Sequence, residues 1–162
     1  MSSDLRREHQ DRFDEEIVRK DVIAKAIKDG TEALELTKRA AKKFLTAEGL
    51  CHAPGFLGSL IGDISLRNAL EATDAAAKVV GTLNDSLAQL GDFKNIYVSA
   101  DAEKRLENVM FSNADQDMTA NMEAITNRLK DAVKDIEITL DKLRVLAVDT
   151  DRIVSELKEK LG

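Results

Sequence analysis

The sequence predicts an all-α fold, an elongated antiparallel helical bundle with long coiled-coil-like helices, and three observations carry that prediction. The 162 residues contain a single proline, the residue that most strongly interrupts helices. Charged residues make up 33% of the chain on an Ala/Leu/Ile/Val skeleton, with five Phe, one Tyr and no Trp, a balance that suits helical bundles better than compact mixed folds. Apolar residues recur at steps of three and four along most of the chain, the spacing that lines one face of a helix. The length fits one domain spanning residues 1–162.

The first element is a long helix over residues 4–48. Phe13, Ile17, Ala24, Ile27, Leu34, Ala41 and Phe44 fall on one stripe, which is the expected core face. Lys20 interrupts the stripe, and the nearly all-polar first dozen residues favour a frayed end. Gly30 costs about 1 kcal/mol against alanine in a helix interior, so a bend is expected there.

Residues 49–64 change character, with four glycines, the sole proline and a single charge. Gly49 reads as a helix C-cap and Pro54-Gly55 as a turn. A helix then runs to Leu90 on the stripe Leu66, Leu70, Thr73, Ala77, Val80, Leu83 and Leu87, and Gly91-Asp92 ends it. The middle of the chain thus reads as a hairpin-like pair of helices. Residues 91–100 contain an Ile-Tyr-Val run that favours extended backbone, but a lone strand lacks a partner, so an ordered loop is expected.

The last helix is expected over residues 101–161, with a pause at Ser112-Asn113-Ala114-Asp115, a capping pattern. From Met118 the stripe is the clearest in the chain: Met122, Ile125, Leu129, Ala132, Ile136, Leu140, Leu143, Ala147, Thr150, Val154, Leu157 and Leu161. Its steps alternate three and four except for one extra four, from Ile136 to Leu140, a stutter that locally relaxes a left-handed supercoil. A rod of this length is unstable alone in water, so the stripe must pack on other helices or on another copy.

Charge and motif chemistry narrow the function classes. The net charge of −6 comes from the regions after residue 48, because residues 1–48 hold 11 acids and 11 bases. No extended basic face lies along any helix, which argues against duplex nucleic acid as partner. No apolar signal core follows the N-terminus and no apolar run reaches membrane-spanning length, so a cytoplasmic protein is expected. Cys51 is the only cysteine and cannot form an intramolecular disulfide.

His9 and His52 are the only histidines, and neither follows a glutamate by three residues as a di-iron bundle requires. Asn113, Asp115, Asp117, Thr119 and Asn121 alternate like a calcium loop, but Met118 and Ala124 occupy the positions that need glycine and a bidentate glutamate. Cys51-His52 lacks an orienting acid and an oxyanion-hole partner. Nothing resembles a phosphate-binding loop. No catalytic residue, metal, cofactor or small-molecule substrate is therefore assigned.

Two functions follow as expectations. The leading one is a non-enzymatic interaction or assembly protein, binding itself or another helical protein through Ile125, Leu129, Ile136, Leu140, Leu143, Val154 and Leu157. The alternative is a membrane-docking or pore-forming-type helical protein using residues 49–66. There the basic patch Lys38, Arg39, Lys42 and Lys43 precedes the apolar stripe Phe56, Leu57, Leu60 and Ile61, and such a pairing suits an anionic lipid surface.

Overall fold

A computed structural model describes the backbone of residues 1–51, 56–98 and 115–162, and the side chains of these except 48, 50, 51, 56–63 and 115–120. Three helices are described: α1 (Ser3–Cys51), α2 (Phe56–Leu90) and α3 (Asp115–Leu161). No strand occurs among the described residues. The chain is an all-α helical bundle, as its composition and periodicity predict.

Helix α1 begins on Ser2, whose hydroxyl accepts the Leu5 N–H at 3.3 Å and whose carbonyl accepts the Arg6 N–H at 3.1 Å. The hydroxyl satisfies one of the donors that every helix start leaves free, and the carbonyl accepts the first bond of the helical ladder. The helix is continuous from there to Cys51, so Gly30 does not interrupt it and the expected C-cap at Gly49 is corrected. At ~1.5 Å per residue, its 49 residues span roughly 70 Å. Helix α2 is one helix rather than a hairpin-like pair, and it ends where expected. Gly91 adopts a φ of 88°, the left-handed conformation that glycine supplies at a helix C-terminus.

Interhelical contacts fix the directions. Lys25 Nζ reaches Ser86 Oγ at 3.4 Å, which runs α2 antiparallel to α1. Lys20 pairs with Asp151 at 2.9 Å and Lys38 with Glu137 at 3.3 Å, which runs α3 antiparallel to α1 as well. Helices α2 and α3 are therefore parallel to each other. Helix α1 is the hub: α2 and α3 both come within 8 Å of it between Cα atoms, while no described residue of α2 comes that close to α3.

The residues of the α1 seam explain the hub. Its buried line is Ile23, Ala26, Gly30, Ala33, Thr37, Ala40, Phe44 and Ala47, strictly alternating steps of three and four. Most of these side chains are small, and helix spacing is set by the side chains at the contact. The expected stripe lies beside this line: Ile27 and Leu34 are half-buried on its flank, and Ala24 is exposed. On α2 the buried line is Leu66, Ala69, Thr73, Ala76, Val80, Leu83, Leu87 and Leu90, with Leu70 and Ala77 half-buried. Gly30 marks the tightest point. A Cβ there would sit 2.8 Å from Leu140 Cδ2 and 3.6 Å from Leu83 Cδ1, so one backbone position faces both neighbours at once.

Three buried threonines sit in these seams without an interhelical partner. Thr37, Thr73 and Thr150 each donate to the carbonyl four residues back, Ala33, Ala69 and Leu146, at 2.7–2.8 Å. Thr126 is equally buried, yet its hydroxyl has no hydrogen-bond partner.

Candidate functional site

The sequence nominated two surfaces, and the structure treats them differently. Ile125, Leu129, Ile136, Leu140, Leu143 and Leu157 are buried in this chain's own bundle, and Val154 is half-buried. They were expected to leave apolar surface free for a partner; the chain's own packing already covers most of that surface. The small-residue seam of α1 lets α3 seat these large side chains within the fold, so in the single chain little of that stripe is exposed.

At the other nominated surface, Lys38, Arg39, Lys42 and Lys43 are exposed on α1, and Lys38 is engaged by Glu137. Exposed Leu45 and Ile64 flank this end of the bundle. The side chains of Phe56, Leu57, Leu60 and Ile61 lie outside the described residues, as do Cys51 and His52. Asp115, Asp117, Thr119 and Asn121 belong to a continuous helix rather than a loop, a backbone that does not wrap a calcium ion. Among the described residues no cluster of three potential metal ligands occurs and no helix is long and apolar enough to cross a membrane.

A third surface emerges from the unequal helix lengths. The Lys25–Ser86 contact lies four residues before Leu90, so α2 stops about level with residue 21 of α1. Helices α1 and α3 continue together past that point. Lys20 bonds Asp151, α3 runs on to Leu161, and Thr150 and Leu157 stay buried there. Phe13 and Ile17, both half-buried, stand at this level of α1. Among the described residues the result is a two-helix stalk with an open groove along the side that α2 covers elsewhere.

A cleft of about 350 Å³ opens directly in front of the α2 terminus, lined by Leu90, Arg19, Phe93, Val145, Leu146 and Asp149 among others. It marks the upper end of the groove. Val18 lies on the α2-facing flank, seven residues before Lys25, and is 64% exposed; Val145 across the groove is 65% exposed. Along α1 the seam itself changes chemistry here. Stepping back from Ile23 by four and three gives Arg19, Glu16, Arg12, His9 and Leu5. Glu16 Oε2 is buried without a hydrogen-bond partner, and no described cation lies within ion-pairing distance of it.

Phe93 belongs to the segment that follows α2. Residues 93–98 form neither helix nor strand and turn back along the bundle, with Ile96 and Val98 buried. Asn84 holds them: its side-chain amide donates to the Ile96 carbonyl at 2.9 Å and its oxygen accepts the Ile96 N–H at 3.0 Å. This is the ordered loop expected from the sequence, with a side chain supplying the two bonds a neighbouring strand would give. A second cleft, of about 380 Å³, lies between this strap and Asp135, Ile138, Thr139 and Lys142 of α3. Compared with protein-family models, with curated proteins and with solved structures, the chain matches none.

Proposed function

We propose that this chain is a non-enzymatic assembly protein that takes a further helix into the groove left open between α1 and α3 beyond Leu90. The observation that carries the reading is the early end of α2: among the described residues the bundle is three helices thick on the C-terminal side of residue 21 of α1 and two on its N-terminal side. Two long helices side by side gain little burial, and helical stability comes mainly from packing an amphipathic face. A groove flanked by Val18, Val145 and Leu146 with charged rims fits the helix-in-groove mode of recognition.

A nitroxide label at Val18, introduced as Val18→Cys in a Cys51→Ser background, tests the reading. A covered groove immobilises the label, and the immobilised fraction rises as the occupant is added. A label that moves freely in the pure protein at every concentration, and still does so in extracts of the cells that make it, refutes the groove as a binding site.

A second reading concerns the opposite end. Exposed Leu45 and Ile64 beside exposed Arg39, Lys42 and Lys43 support docking of that end on an anionic membrane. Flotation with anionic but not neutral vesicles, lost at high salt and in Lys42→Glu/Lys43→Glu, is its expected outcome. Absence of flotation with either vesicle removes it.

A further inference from the structure

We draw no further inference here: the strongest candidate, the cleft of about 380 Å³ between the strap and α3, is ringed by the exposed charges of Asp92, Lys94, Asp135 and Lys142, two acids and two bases, and nothing in the structure shows what would occupy it.

Discussion

Gly30 offers a sharp test of the packing, because two opposing effects of similar size meet at one backbone position. Replacing it with alanine gains helix propensity, about 0.8–1 kcal/mol. The new methyl group would stand 2.8 Å from Leu140 Cδ2 and 3.4 Å from Leu140 Cγ, so Leu140 must move. Leu140 is buried and so is Leu83 on the other side; a dense core resists such movement at a cost of about 1–3 kcal/mol. Gly30→Ala is therefore expected to lower stability by about 1 kcal/mol, despite its better helix residue. Leu140→Ala alone should cost about 2–5 kcal/mol through the cavity it leaves. In the double variant the alanine methyl no longer collides with Leu140, keeps an ordinary contact with Leu83 and partly fills that cavity. The double variant should then be more stable than the sum of the singles predicts, by about 1–2 kcal/mol. Urea unfolding followed by circular dichroism at several protein concentrations measures all four proteins. Additivity within about 0.5 kcal/mol would mean that the two residues do not share a contact, and would refute the account of α1 as a closely approached hub.

Asn84→Ala removes both bonds to Ile96 and should cost about 1–3 kcal/mol, with hydrogen exchange at the Ile96 amide accelerating well before global unfolding. Unchanged exchange there would mean that other groups hold the strap. Thr126→Val replaces a buried, unpartnered hydroxyl with a methyl group and should raise the melting temperature by about 2–4 °C, the equivalent of about 1 kcal/mol in a domain of this size. A lowered melting temperature would imply a partner for that hydroxyl. Leu143→Asp places a charge at a fully buried site and should abolish cooperative folding rather than merely lower the solution mass; a folded, helical variant would count against the burial of α3 by α1.

The sequence was most readable where burial depends on large side chains. Nearly the whole α3 seam, from Met122 through Leu157, was legible as a stripe because leucine and isoleucine mark it. On α1 the same reading slipped to the flank. The buried line there is mostly alanine, glycine and threonine, which carry little hydropathic signal, while the half-buried Ile27 and Leu34 beside it carry much. The alternation of Ala26, Gly30, Ala33, Thr37 and Ala40 was itself a usable sign, since small residues at three-and-four spacing permit close approach of neighbouring helices. Gly30 illustrates the point: read alone it is a weak position, but paired with the stutter at Ile136–Leu140 it is a contact. The open groove was not legible, because it depends on where α2 ends relative to its neighbours. That alignment comes from contacts such as Lys25–Ser86 and Lys20–Asp151, which no periodicity reveals.

The Asn84 clasp bears on the order in which the bundle closes. With α2 and α3 parallel, the chain leaving α2 has to return along the bundle, and residues 93–98 are the described start of that return. Asn84 and Ile96 are only twelve residues apart, so their two bonds close a short loop at small entropic cost. The contacts that seat α3 on α1, such as Leu140 against Gly30, close a far longer one. The clasp can thus form while α3 is still undocked, and it sets the flank of α2 along which residues 93–98 return.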